Sequence, residues 1–141
     1  MSRQSVESFR SGHNSILHTV EQLQNVARTY LQAKPILRAL HVQLLNYFSQ
    51  QDQKMLDELY AFYVDDRPSY KLVEFLEHDL KDIKIKCLIF YDKHSGEVAD
   101  LNARSFPLDF QNFLQEILDR MNVEEEYLFP LLEKLAHRQQ N

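Results

Sequence analysis

The chain has 141 residues and a formal net charge of -5, with 44% hydrophobic residues but only two glycines and four prolines. This length fits one domain over residues 1–141, and the scarcity of glycine and proline predicts long helices joined by short loops. Scattered Lys and Arg residues in an acidic chain argue against a nucleic-acid-binding surface. The N-terminus has no long apolar run, so neither a signal peptide nor a membrane span is expected. The single cysteine, Cys87, is typical of a cytoplasmic protein.

Two apolar stripes at helical spacing predict the first pair of helices. The first helix is expected to start near Ser5, and Pro35 is expected to end one element and to start the next. The first stripe contains Val6, Phe9, His13, Ile16, Val20, Leu23, Ala27 and Tyr30. The second stripe contains Leu37, His41, Leu44, Phe48, Met55, Leu59 and Phe62. Gln51 and Asp52 straddle the position where the second stripe lacks an apolar residue.

A third helix is predicted from Pro68 to His94, after a turn at residues 65–68. Gly96 is expected to adopt a left-handed conformation just beyond its end. Its apolar stripe contains Leu72, Leu76, Leu80, Ile83, Cys87 and Phe90. Asp79 lies close to this stripe, whereas His78 falls well away from its centre.

The fourth predicted helix carries acidic residues in the middle of its apolar stripe. The helix is expected to begin near Pro107 and to kink or end near Pro130. Its stripe contains Phe110, Leu114, Ile117, Met121, Leu128, Leu132 and Leu135. Glu124 and Glu125 interrupt it. Because a buried carboxylate costs several kcal/mol unless a cation, a proton or hydrogen bonds compensate, this turn is the most informative part of the chain.

Four helices with short connections predict an all-α fold, an up-down-up-down antiparallel four-helix bundle. Counting residues from each turn, at a rise of about 1.5 Å per residue, places five side chains in one interior layer. They are His13, Asp52, Asp79, Glu124 and Glu125. Histidines and carboxylates that converge from several helices form metal sites in bundles, so the layer is a candidate metal site.

At these residues the chain resembles the hemerythrin-like, or HHE cation-binding, family of four-helix bundles. The longest match is Phe113 to Leu132, FLQEILDRMNVEEEYLFPLL, where a Glu-Glu pair precedes a Leu-Phe-Pro ending. Further matches are Gly12-His13 with Ile16-Leu17, Leu59-Tyr60 with Phe62-Tyr63, and Glu77-His78. The family's usual site holds two irons through histidines and bridging carboxylates.

The resemblance implies an incomplete set of metal ligands in this chain. It implies His13 from the first helix and Glu124 or Glu125 from the fourth. His78 matches the Glu-His pair of the family, although the stripe of the third helix favours Asp79. In the second helix, where the family has a His, three residues and a Glu, the chain offers Phe48 to Asp52 or Asp52 to Leu56, so at most one ligand remains, Asp52. Arg120 or Met121 stands where the family has its fourth-helix histidine, and neither residue type is a plausible iron ligand.

Two functions are compatible with these residues. In the first, the protein is not an enzyme but binds a metal, iron by the resemblance, and serves as a sensor or carrier of dioxygen, iron or another small ligand. In the second, Arg120 and His13 neutralise the acids, and a metal-free bundle regulates another protein by binding it. Bacterial anti-sigma proteins are bundles of this kind, and two segments are similar to them, Leu45-Asn46-Tyr47-Phe48-Ser49 and Leu108-Asp109-Phe110-Gln111. Whether Arg120 points inward stays open from the sequence.

Overall fold

The computed structural model describes residues 1–26 and 29–140, and every regular element within them is helical. The prediction of an all-α fold is therefore confirmed. The elements are α1 (Arg3–Val26), α2 (Tyr30–Gln50), α3 (Gln53–Phe62), α4 (Arg67–Lys93), a 3-10 turn (Gly96–Ala99), α5 (Phe106–Val123), a π-helical turn (Glu124–Leu128) and α6 (Phe129–Gln140). None of the helices over the described residues combines the length and the hydrophobicity that a membrane-spanning segment requires.

The boundary between α1 and α2 lies earlier than Pro35, so the predicted role of this proline is wrong. Thr29 caps α2 by accepting a hydrogen bond from the Gln32 amide at 3.3 Å, and Tyr30 opens the helix. A side-chain cap of this kind sets a helix start strongly. Pro35 lies inside α2 on its exposed side, where water can reach the backbone carbonyl that loses its partner. Ala27, predicted on the first stripe, lies outside the described residues.

The second predicted helix is in fact two helices, and the break falls at Gln51 and Asp52. Asp52 has extended backbone and caps α3 by accepting a hydrogen bond from the Met55 amide at 3.0 Å. Aspartate is a favoured residue at a helix start because its short carboxylate reaches the free amides of the first turn. The gap in the apolar stripe was therefore the sign of a helix boundary.

The third and fourth predicted helices lie close to their expected positions. Asp66 caps α4 through the Ser69 amide, and Gly96 has a left-handed φ of 62°. The stripe of α5 and α6 is buried along its whole length. Near Pro130 the chain forms a π-helical turn, in which the Phe129 amide donates to the Glu124 carbonyl, five residues earlier. A π turn accommodates the missing proline N–H without ending the helix.

The apolar faces of the helices meet in one buried cluster. Helix α1 packs against α2, α5 and α6, while α4 packs against α3 and α5. Two buried tyrosine hydroxyls join separate helices: Tyr91 donates to the Leu37 carbonyl at 2.8 Å, and Tyr63 donates to the Leu131 carbonyl at 2.7 Å. The first contact joins α4 to α2, and the second joins the end of α3 to α6.

Candidate functional site

Glu124 is the centre of a buried polar layer. Its side chain is 0% exposed, and each carboxylate oxygen accepts two hydrogen bonds. Oε1 accepts from the Tyr47 hydroxyl and from His13 Nδ1 at 3.1 Å. Oε2 accepts from Gln51 Nε2 at 2.9 Å and from Arg120 Nε at 3.0 Å. The carboxylate is therefore satisfied on both oxygens by side chains of the protein itself.

Arg120 points inward and supplies the positive charge of the layer. It lies one helical turn before Glu124 and is only 2% exposed. Its Nη1 lies 2.9 Å from Asp79 Oδ2 and also donates to the Leu76 carbonyl at 3.3 Å. Its Nη2 donates to Gln51 Oε1 at 2.8 Å. The guanidinium thus lies between the buried carboxylate of Glu124 and the half-buried carboxylate of Asp79. Each of its three nitrogens donates a hydrogen bond to a different part of the layer.

Gln51 and Tyr47 belong to the layer although the sequence did not single them out as site residues. Gln51, at the end of α2, uses both ends of its amide, donating to Glu124 and accepting from Arg120. The Tyr47 ring packs directly on Gly12, where an added Cβ would lie 2.8 Å from Tyr47 Cδ1. This glycine allows α1 and α2 to approach closely. The signals available in the sequence were the gap in the second stripe and the rare glycine next to His13.

Electrostatics keep Glu124 ionised in spite of its burial. Burial acts to raise the pKa of Glu124, but the hydrogen bond from His13 and the charge of Arg120 outweigh it, so the pKa lies below its usual value. Burial raises the pKa of Tyr47 well above its ordinary value, and the neighbouring carboxylate adds to this effect. The phenol therefore remains protonated and serves as a hydrogen-bond donor to the carboxylate.

Three of the six predicted ligand residues lie in this layer. His13 contacts Glu124 directly, and Asp79 reaches the layer through Arg120. His13 also packs edge-on against the Phe129 ring at 5.2 Å between centroids. The common level predicted for the first, third and fourth helices is therefore seen in the structure.

The other three predicted residues lie outside the buried layer. Asp52 is exposed and caps α3, while its neighbour in the chain enters the layer in its place. His78 is exposed on α4. The Glu125 side chain is 56% exposed and pairs with Arg10 at 3.0 Å, although its Oε2 comes within 3.6 Å of His13 Nε2. The residue count was one position wrong in the second helix, because α2 ends with Gln51 as its C-cap and Asp52 is used to cap α3.

As placed, the layer does not fit a metal ion. Both oxygens of Glu124 already accept hydrogen bonds. The Arg120 guanidinium donates to Oε2, so a divalent cation at that oxygen would be repelled by a like charge. Among the described residues, no group of three or more His, Cys, Asp and Glu side chains is arranged to hold a metal. The arrangement neutralises buried charge in the interior between the helices.

Comparisons of the chain with protein-family models, with curated proteins and with solved structures give no match. The hemerythrin-like resemblance therefore stays a prediction based on the residues quoted above.

Proposed function

We propose that this protein is a metal-free helical regulator that acts by binding another protein. In this proposal the helices form an antiparallel four-helix bundle. Helices α2 and α3 together are its second helix, and α5 and α6 together are its fourth. The observation that carries the proposal is the position of Arg120, whose guanidinium neutralises Glu124 from inside the layer. A metal-binding bundle needs its carboxylate lone pairs free for the ion.

The polar layer then has a structural role. Its groups are hydrogen-bonded to one another across four helices, so each helix can take only one height relative to the others without leaving a buried polar group unpaired. Such a layer fixes the register of the scaffold, and a scaffold of fixed register presents its outer surfaces in a defined geometry. Function is consequently expected on the outside of the helices.

One outer surface is unusually apolar. It consists of Leu45 on α2 and Leu88 on α4, which line one groove, together with Ile85 and Ile89, which continue the exposed apolar face of α4 beyond that groove; all four are more than half exposed. We call these four residues the α2–α4 surface. Single exposed apolar residues are common, but a group of large ones on adjacent helices is typical of a protein–protein contact. The α2–α4 surface is therefore the proposed site of partner binding.

Metal analysis tests the first half of the proposal. Protein purified without chelator is expected to contain less than about a tenth of a metal ion per chain, and added iron(II) is expected to leave the melting temperature unchanged, since a ligand that binds the folded state would raise it. About one iron per chain, lost in a His13→Ala variant, would instead establish a metal-binding function.

Site-specific crosslinking tests the second half. A photo-reactive amino acid is placed at Leu45, which is 61% exposed. The matched control is Leu101, which is 84% exposed and lies in the connection between α4 and α5. Irradiation of cells that naturally express the protein is expected to give a discrete heavier product from position 45 and none from position 101. Equal products from both positions, or none from position 45, would refute binding through this surface.

A further inference from the structure

A groove of about 360 Å³ runs between α2 and α4, next to the α2–α4 surface. Its floor is made of the buried side chains of Leu44, Phe48 and Cys87. Its two walls carry Leu45 and Leu88, each 61% exposed. The groove is thus apolar both in its floor and along its walls, and it runs between two helices, which is the shape that accepts a further helix.

Among the residues that line this groove, the charged side chain is a lysine. Its lining includes Lys84 and His41 and no carboxylate. Helix α2 contains Lys34 and Arg38 but no acidic residue, although the whole chain has a net charge of -5. Within the described part of the chain Lys84 has no ion pair, whereas Lys86, two residues later on α4, lies 3.0 Å from Asp82. The groove therefore offers a cation without an internal partner beside an apolar slot.

Building on the proposed function, we infer that the groove binds an acidic amphipathic helix of the partner protein. Apolar residues of that helix, spaced by three and four, enter between Leu45 and Leu88, and a flanking carboxylate pairs with Lys84 in the lining. Arg38, one turn before the lining residue His41 on α2, is the next cation along the groove. Charge complementarity of this kind selects the partner and speeds its association. A second copy of the chain is a poorer occupant, since two such grooves placed face to face bring like charges together.

Two synthetic peptides test this inference. Both have the same length and the same leucines at helical spacing, and the flanking positions are glutamate in one peptide and lysine in the other. Fluorescence anisotropy measures the binding of each peptide to the full chain at low and moderate salt. The glutamate peptide is expected to bind about ten-fold more tightly than the lysine peptide, with a preference that weakens as salt rises.

Three variants locate the binding. Leu88→Glu is expected to abolish binding of the glutamate peptide, because it places a carboxylate in the groove. Lys84→Glu is expected to remove or reverse the preference between the peptides. Leu101→Glu, at an exposed leucine outside the groove, is expected to leave both affinities unchanged. Circular dichroism and thermal unfolding show that each variant is folded.

Absence of binding, or equal binding of the two peptides, overturns the inference. If crosslinking from position 45 is still seen in that case, the proposed function stands and only the chemistry assigned to the partner is wrong. If crosslinking from position 45 is absent as well, both proposals fail. Binding that survives Leu88→Glu would also overturn the inference, since the peptide would then lie elsewhere on the protein.

Discussion

Replacing Glu124 with leucine is expected to destabilise the protein strongly, even though it places an apolar residue in an apolar stripe. The change removes the acceptor of four hydrogen bonds in the interior. The Tyr47 hydroxyl and the Gln51 amide lose a partner that water cannot replace. Arg120 keeps Asp79 but loses the carboxylate that lies 3.0 Å from its Nε.

The size of this effect follows from the burial of the groups left behind. Removing one partner of a buried ion pair costs about 3–5 kcal/mol, because the other charge remains buried without full compensation. The unpaired donors alone would cost about 1–3 kcal/mol each, but relaxation of the layer and the apolar gain from leucine offset part of this sum. A loss of about 4 kcal/mol is a large part of a total stability of about 5–15 kcal/mol, and it corresponds to a fall in melting temperature on the order of 10 °C.

Urea unfolding followed by circular dichroism measures the loss, and the neighbouring residue provides a matched control. Glu125→Leu changes the same residue type in the same turn, but Glu125 is 56% exposed and its ion pair with Arg10 lies at the surface. Surface pairs contribute about 0–1 kcal/mol, so this variant is expected to stay within about 1 kcal/mol of the wild type. Equal effects at the two positions, or a more stable Glu124→Leu protein, would refute the account of the layer.

Three further predictions concern the stability of the folded chain. The double variant Arg120→Met with Glu124→Leu is expected to lose at least about 1 kcal/mol less free energy of unfolding than the sum of the losses of the two single variants. Additive losses in urea unfolding would argue against coupling between the two residues. The folded state lowers the pKa of Glu124 and lowers that of Asp109 to about 2, so stability present at neutral pH is lost as the pH falls below about 4, where the unfolded chain takes up protons. Urea midpoints between pH 7 and pH 3 measure this loss, Glu124→Gln is expected to make it smaller, and a flat profile in the wild type would contradict it. Gly12→Ala is expected to destabilise by about 1 kcal/mol, because crowding against Tyr47 outweighs the gain in helix propensity, and a higher melting temperature would contradict the close approach.

Periodicity predicted the buried faces well because it is a local property of a helix. The stripe from Phe110 to Leu135 is buried as expected, and Glu124 faces inward because it interrupts that stripe. The exposure of Glu125 follows from the same geometry, since the next residue along a helical turn points well away from its neighbour. The left-handed conformation of Gly96 was likewise readable from one residue.

Helix boundaries were predicted less well, because each is decided by competition between weak local signals. Thr29 caps α2 ahead of Pro35, and Asp52 caps α3 where an unbroken helix was expected. A proline is the more visible signal in a sequence, but a side chain that satisfies the free amides of a first turn sets the start. The break at Asp52 also explains why Gln51, rather than its acidic neighbour, enters the layer.

The sequence by itself determined the all-helical character, the face that each helix buries and the presence of an acid among apolar residues. Only the tertiary structure decided how that acid is neutralised. Arg120 has a long side chain that could extend to solvent, and it turns inward because Asp79 and Gln51, from two other helices, offer it acceptors at the level of Glu124. His13, which completes the layer, lies 111 residues before Glu124 in the chain. The contact between His13 and Glu124 therefore arises only when the apolar faces pack together and exclude water.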